Sequence, residues 1–360
     1  MTDISINGRF LTRSPTGVDR FAAELLRAWL PRSRASHSVR TLLPTNSDVR
    51  SPHGLDLDIT RVGALKGHAW EQFDLARHCG DSTLLNLCNT GPVARRRQLV
   101  VMHDAATITN PATYSLAFRS WYRWMFGGLM RRADIVATVS KFSAGELMRH
   151  VGRRAAGIEL INGAGDHILR AQSDTGVLER LGLSGQRYIL AVGSRTPNKN
   201  FAGVARAVSL LSGLGCKVVA AGGSDSRVFS GVSLDSDSLL LPGYVTDGEL
   251  RALYENAACF VFPSLYEGFG LPPLEAMHCG CPVIVSDRAS LPEVCGSAAL
   301  YCNPDDPADI AAKLRLVLES RALQGELREA GHARAREFSW SRAADQLEQL
   351  LGAGALRAAA

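Results

Sequence analysis

The chain has 360 residues, 46% of them hydrophobic and 21% charged, with a formal net charge of +5. At roughly 150 residues per domain this length suggests two domains, and the balanced composition excludes a disordered chain, a fibrous rod and a disulfide-stapled mini-protein. No window holds the ~18 uninterrupted apolar residues of a membrane span, and the opening MTDISINGRFLTR is polar where a signal peptide needs an apolar stretch, so a soluble cytoplasmic chain is expected.

Taken in chain order, Asp19 to Leu30 places Phe21, Leu25, Leu26, Trp29 and Leu30 on one helical stripe, which Pro31 is expected to stop. Gln98–Met102 and Asp134–Val139 are short apolar strands, with a helix from Leu116 to Arg132 between them. Residues 163–187 lose this pattern and read as a linker. A second series then begins with strand Tyr188–Val192, a helix over 200–212 and strand Lys217–Ala221. It continues through helix Asp247–Ala257, strand Cys259–Phe262, helix Pro272–Cys279, strand Pro282–Ser286 and helix Pro307–Leu318. Strand–helix alternation of this kind predicts two doubly wound α/β domains, whose ligands sit beyond the carboxyl ends of the strands. The loops after Met102, Val192 and Phe262 are therefore where chemistry is sought.

Charge is uneven along the chain. Residues 1–165 carry 22 Lys+Arg against 13 Asp+Glu, and the remainder carries 18 against 22. The basic half either meets something anionic or reflects an Arg-rich composition, since only five of the 40 basic residues are Lys. The eight cysteines form no CxxC pair and no zinc-like spacing, so neither a metal nor a disulfide is assigned. Asp56-Leu-Asp58 and Asp235-Ser-Asp237 could tempt a metal reading, but both lie in polar, loop-like stretches.

The most informative segment is Pro263-Ser-Leu-Tyr-Glu267-Gly-Phe-Gly-Leu-Pro-Pro-Leu-Glu275-Ala-Met. Glu267 and Glu275 bracket a glycine-rich turn that opens a helix, and both can face one cleft. Gly268 and Gly270 allow close backbone approach, and a helix start offers free N–H groups to an anion. The plain alternative is a helix start with acidic capping residues. Next comes Val192-Gly-Ser194-Arg195-Thr-Pro-Asn-Lys199-Asn200, whose cations suit a diphosphate. It is no Walker A loop, because no glycine precedes Lys199, and no GxGxxG follows an early strand. His103-Asp104 follows the strand ending at Met102, and Thr16-Gly17-Val18 precedes the first helix, with Asp19 read as its N-cap.

Together these segments resemble GT-B glycosyltransferases of family 4, the retaining nucleotide-sugar transferases with an E-x7-E motif. The likeness extends to Leu241-Pro-Gly-Tyr-Val-Thr-Asp, Gly280-Cys-Pro-Val-Ile-Val-Ser-Asp, Leu291-Pro-Glu-Val-Cys-Gly296 and Ala299-Leu-Tyr-Cys-Asn-Pro304. In the first half it rests on Val101-Met-His-Asp, Asn110-Pro and Ala133-Asp-Ile-Val-Ala-Thr-Val-Ser140-Lys-Phe-Ser143. It implies two Rossmann-like domains facing a cleft: 1–165 for the acceptor and 166–336 for the donor, with helix 337–351 returning to the first.

The same resemblance assigns roles. Glu267 would meet the donor sugar and Glu275 the nucleotide ribose. Amides of Phe269, Gly270 and Leu271 would hold sugar and diphosphate, and Tyr244-Val245 the base. Lys199 would neutralise the diphosphate; family members place Arg directly after the glycine, where this chain has Ser194 and then Arg195. His103 would reach sugar and phosphate, Gly17 would lie beside the diphosphate, and Asp104 and Arg9 are acceptor-side candidates. The implied reaction moves a hexose with retention and without metal in bacterial polysaccharide assembly. GDP-mannose is the first donor expected and a UDP- or dTDP-sugar the second. The acceptor would be a glycan or a lipid-diphosphate-linked saccharide. Alternatives are a catalytically silent GT-B binding protein and a sugar-nucleotide epimerase of the same fold. Arg95-Arg-Arg97 and the aromatic helix 116–132 either touch the inner membrane surface or belong to an ordinary core helix with its Trp and Tyr on the sheet. No nucleic-acid motif is present.

Overall fold

The computed structural model describes residues 2–49, 54–109, 115–152, 154–194, 196–211, 215–223 and 239–359. It divides into two compact units, Met1–Gly163 with Trp340–Ala360, and Ala164–Ser339.

In the first unit seven strands form one parallel sheet: β1 (Thr2–Asn7), β2 (His37–Pro44), β3 (Ile59–Val62), β4 (Thr83–Asn86), β5 (Gln98–Val101), β6 (Ile135–Thr138) and β7 (Glu159–Leu160). Their order is β3-β2-β1-β4-β5-β6-β7. The direction of winding reverses between β1 and β4, so the loops leaving these neighbours diverge and open a crevice. The central strands are buried on both faces, as parallel strands between helices must be. Met125, Phe126 and Leu129 pack with Val100, Met102 and Val136.

Helix Gly17–Ser33 runs past Pro31 instead of stopping there. Proline lacks only its own N–H, and this near the helix end removes one bond, so the helix continues. Its cap is Thr16 rather than Asp19. The Asp19 carboxylate accepts from Thr16 N at 2.9 Å and Thr16 Oγ1 at 2.7 Å, and from Arg13 at 2.6 Å. Helix Trp340–Ala359 belongs to this unit: Trp29 Nε1 donates to Glu348 Oε2 at 2.7 Å, and Arg32 pairs with Asp345 at 2.7 Å.

Helix Leu116–Arg132 is only half a core helix. Met125 to Met130 are buried, whereas Leu116, Phe118 and Trp124 are exposed beside Arg119 and Arg123. The core takes up its second half; of the first half's aromatics, Trp121 and Tyr122 are half-buried against His68, and Phe118 and Trp124 are exposed.

The second unit has six parallel strands: β8 (Tyr188–Val192), β9 (Lys217–Ala221), β10 (Leu239–Gly243), β11 (Cys259–Phe262), β12 (Val283–Ser286) and β13 (Leu300–Cys302). The order β10-β9-β8-β11-β12-β13 puts the reversal between β8 and β11. Ile189, Val218, Val261 and Ile284 pack beneath helices Phe201–Ser209 and Pro307–Glu319. The stretch read as a linker is instead part of this unit: it holds a 3-10 turn, Asp166–Arg170, and helix Gly176–Arg180, with His167, Ile168 and Val177 buried. Its small polar residues hide the few apolar anchors that dock it.

All eight cysteines are free thiols. Burial pushes Cys79 up to about 11 and Cys279 and Cys302 to about 12, which keeps them protonated and unreactive. Asp56 is paired with Arg34 on the surface; Asp235 and Asp237 lie outside the described residues. Among the described residues no group of three or more His, Cys, Asp and Glu is placed to hold a metal, and no helix is long and apolar enough to cross a membrane.

Candidate active site

In the second unit, the loops leaving β8 and β11 at the winding reversal are stitched together. Leu265 N donates to Asn198 O at 2.8 Å, and Asn198 Nδ2 to Tyr266 O at 3.4 Å. Asn200 is the central fastening. It sits in the left-handed region at φ 55° and caps helix Phe201–Ser209 by accepting from Gly203 N. Its Nδ2 donates to Pro263 O at 3.2 Å and to Pro304 O at 2.6 Å. Asparagine tolerates this conformation better than most residues, and its side chain satisfies three backbone groups at once.

Lys199 precedes that fastening and is thereby aimed at the next loop. Its Nζ lies 2.6 Å from Glu267 Oε1 and 5.0 Å from the centre of the Phe262 ring. Both side chains of the pair are largely buried, 17% and 12% exposed. A lysine and a glutamate from separate loops thus meet at the strand ends, a cation ready for an anion and a carboxylate ready for hydroxyls.

After Glu267 the chain turns through Phe269 and Gly270 into helix Leu271–His278. Gly270 adopts φ 111°, and a Cβ there would stand 2.8 Å from Leu291 Cδ2, so only glycine fits. Ser290 Oγ donates to Glu267 O at 3.0 Å and Phe269 O at 2.7 Å, fixing the turn. Pro272 and Pro273 fill the second and third helical positions and carry no N–H. Phe269, Gly270 and Leu271, the three amides named from the sequence, carry N–H groups just ahead of the two prolines.

Glu275 is not paired with the same partners as Glu267. It is 5% exposed; Tyr254 Oη donates to its Oε2 at 3.1 Å, and His167 Nε2 lies 3.1 Å from its Oε1. Burial and the Glu275 charge hold the Tyr254 hydroxyl protonated, well above its ordinary range. Tyr244 is 84% exposed and Val245 buried, just after Gly243. Ser194 is exposed, 3.2 Å from Thr196 through their hydroxyls. Arg195 lies outside the described residues, as do Asn110 and Pro111.

The first unit carries its own polar crevice at its winding reversal. Arg9 Nε lies 3.1 Å from Glu71 Oε1 and its Nη2 donates to Thr90 Oγ1 at 3.1 Å. Glu71 is 1% exposed and also accepts from Asn7 Nδ2 and Thr90 Oγ1. Burial pushes its carboxyl up, but the His68 hydrogen bond, the Arg9 charge and these two donors outweigh it and hold the group below the usual range. Glu71 stands in a π-helical turn, Trp70–Leu75, a feature frequent at functional sites. Asn7, Arg9, Arg13, Cys88 and Thr90 line a small pocket there. Sequence reasoning singled out Arg9 but not Glu71 and Thr90, which lie 62 and 81 residues downstream.

His103 is 7% exposed, and its Nε2 lies 2.9 Å from Leu87 O. A carbonyl only accepts, so Nε2 carries the proton and Nδ1 is a bare acceptor. Burial pushes its pKa down to about 4, so the ring is neutral at pH 7. Asp104 Oδ1 accepts from Ala106 N at 2.8 Å, a local turn. Gly17 opens its helix, and open space lies where a Cβ would stand.

A family model described as "Glycosyl transferases group 1" matches residues 179–337. The chain is 33% identical over 280 residues to the O-antigen chain mannosyltransferase B of Escherichia coli, covering 71% of this chain and 70% of the relative. It is 31% identical over 274 residues to the serotype-specific mannosyltransferase WbdA of Escherichia coli, covering 69% of this chain but 32% of that longer protein. Its fold superposes on sucrose-phosphate synthase of Thermosynechococcus elongatus with a TM-score of 0.78 at 20% identity, over 100% of both chains. With two Rossmann-like parallel-sheet units of the GT-B type, the chain belongs to the group 1 glycosyltransferases.

Proposed function

We propose that the chain moves a hexose, mannose first, from a nucleotide sugar to a glycan or lipid-diphosphate-linked saccharide in bacterial polysaccharide assembly, with retention of anomeric configuration. The Lys199–Glu267 pair at 2.6 Å, beside the free amides of Phe269, Gly270 and Leu271, carries this reading. The two mannosyltransferase relatives support the sugar. GDP-mannose is the first donor to test, ahead of UDP- and dTDP-sugars.

As the bond from C1 to the phosphate oxygen breaks, the diphosphate gains charge and the sugar ring loses electrons. Lys199, with Arg195 and the three amides, stabilises the departing diphosphate, so no metal is called for. The acceptor hydroxyl bonds to C1 on the face the phosphate leaves, and its proton passes to the departing phosphate oxygen. Glu267 orients the sugar, Glu275 the ribose, and Tyr244 with Val245 the base; Ser194 and Gly17 approach the donor through their loops. His103, neutral, accepts from a sugar hydroxyl through Nδ1 instead of offering a charge. Arg9 and Asp104 serve the acceptor.

The test is a thermal-shift panel of nucleoside diphosphates together with product release in EDTA. GDP should stabilise the protein, and nucleoside diphosphate should be released only with acceptor and equally well in EDTA. Release that ignores acceptor, or a strict need for Mg²⁺ or Mn²⁺, would overturn it. A cytoplasmic site at the inner membrane face is also proposed, supported by exposed Leu116, Phe118 and Trp124 beside Arg119 and Arg123. Sedimentation with phosphatidylglycerol vesicles but not phosphatidylcholine vesicles is expected, and it should be lost in a W124E variant.

A further inference from the structure

Three described residues other than glycine have a positive φ: Asn89, Asn200 and Ala289. Asn200 is the fastening beside Lys199. Asn89, at φ 69°, stands just beyond β4. Thr90 N donates to Cys88 O at 2.9 Å across it, so Asn89 is the middle residue of a γ-turn of the positive-φ kind, which is rare and strained. Such a conformation lasts only where its surroundings over-determine it. Here they do: Asn89 N donates to Val101 O at the end of β5, at 3.0 Å, and Thr90 Oγ1 donates to Glu71 Oε1 at 2.6 Å.

The Asn89 side chain reaches His103, whose backbone N donates to Asn89 Oδ1 at 2.7 Å. A backbone N–H only donates, so the amide oxygen must face it and the side chain has one orientation. Two residues before Asn89, Leu87 O accepts from His103 Nε2 at 2.9 Å. The short stretch Leu87–Asn89 thus grips His103 at both ends, main chain and imidazole. Phe21 packs on the same ring, at 88° with centroids 4.7 Å apart. Leu87 O selects the ring nitrogen that carries the proton, and it does so only while it stays opposite Nε2. The bond from His103 N to Asn89 is the side-chain tie between this stretch and the residue it grips.

We propose that Asn89 is a positioning residue for sugar transfer: by tying Leu87–Asn89 to His103 it keeps the imidazole in the single tautomer protonated at Nε2, with Nδ1 left as the acceptor for a hydroxyl of the transferred sugar. This rests on the reading of His103 as a contact to that sugar. Asn89 acts through the histidine, since the other tautomer would present a donor at Nδ1 where the hydroxyl needs an acceptor.

The test uses the full chain labelled with ¹⁵N-histidine and the variants N89G, N89D and H103Q, the last to identify the His103 signals by their loss. Glycine takes the turn without strain but has no acceptor; aspartate tolerates the turn and keeps an oxygen. At about pH 8 the parent should show His103 as one tautomer, unprotonated at Nδ1. In N89G its two ring nitrogens should move towards a common, averaged shift, and in N89D they should return to the parent pattern. The remaining histidines are the internal control. Calorimetry with GDP and GDP-mannose gives a second readout. N89G should weaken GDP-mannose relative to GDP by about threefold or more, the weight of one ordinary hydrogen bond, and should do nothing further in an H103Q background. If the parent prefers UDP and UDP-glucose, the same comparison runs on that pair. If N89G does not fold, N89S, whose hydroxyl is too short to reach His103 N, takes its place.

A single Nε2–H tautomer persisting in N89G overturns the proposal whatever the ligands do. So does a loss of sugar affinity that is equally large in the H103Q background, the mark of a merely structural turn. If the tautomer responds but H103Q binds the nucleotide sugar as the parent does, the reading of His103 as a sugar contact is what fails, and the part of Asn89 in the reaction falls with it. The spectrum and the titration thus separate the two failures.

Discussion

At the scale of single residues, the pairing of Lys199 with Glu267 means that each partner is occupied before a donor arrives. A diphosphate must compete with Glu267 for the ammonium. Replacing Glu267 with Gln should therefore tighten GDP binding, by about threefold or more, while transfer falls by about a hundredfold or more. Lys199→Ala should weaken both. Isothermal calorimetry beside turnover separates the two, and weaker GDP binding in E267Q would remove the competition. His103 gives a pH signature. Burial lowers its pKa from 6.5 to about 4, so below pH 6.5 the unfolded chain binds a proton that the folded one refuses. Its contribution, up to about 3 kcal/mol, is complete above pH 6.5 and disappears as the pH falls towards 4. A His103→Gln variant should show a shallower fall in melting temperature over that window. These residues were legible because the chemistry lies in short contiguous motifs. Glu71 and His167 were not, because their partners are distant in sequence and only folding brings them together.

At the scale of elements, apolar runs revealed the strands well. Tyr188–Val192, Lys217–Ala221 and Cys259–Phe262 were each read to the residue, because strands buried on both faces are uninterrupted. The failures share a cause: tertiary contact overriding a local signal. Pro31 continues its helix because one lost bond near the end matters little. The supposed linker carries turn-forming residues, yet at Gly165 its backbone is pressed against helix Leu271–His278. Gly165→Ala should consequently lower stability by about 1–3 kcal/mol through overpacking, and weaken GDP binding as Glu275 shifts. Chemical denaturation followed beside calorimetry tests this. Unchanged stability would mean that the two segments part without strain.

At the scale of the molecule, each unit puts its polar crevice where its sheet reverses direction, at β1/β4 in one and at β8/β11 in the other. Two domains and strand–helix alternation were evident from length and pattern, but a sequence does not mark which strands become neighbours across a reversal. The first unit is also completed from the far end of the chain. Trp340, Ala343, Ala344 and Leu347 are buried in it, and Glu348 binds both Trp29 and His37. A chain ending at Ser339 should leave helix Gly17–Ser33 uncovered and the first unit unstable. The second unit should still bind GDP. Limited proteolysis with a thermal-shift readout would reveal this, and protease resistance of residues 1–163 in the shortened chain would refute it.

The late return of that helix sets an order of events on the ribosome. Roughly 300 residues separate Ser33 from Trp340, so at 5–20 residues per second the apolar side of the first helix waits about 15 to 60 seconds for its cover. The second unit, continuous in sequence, emerges whole during that wait and can fold first. The nascent N-terminal unit is thus the part with most need of a chaperone, and translation that stalls after Ser339 would leave it uncovered while the second unit is already whole.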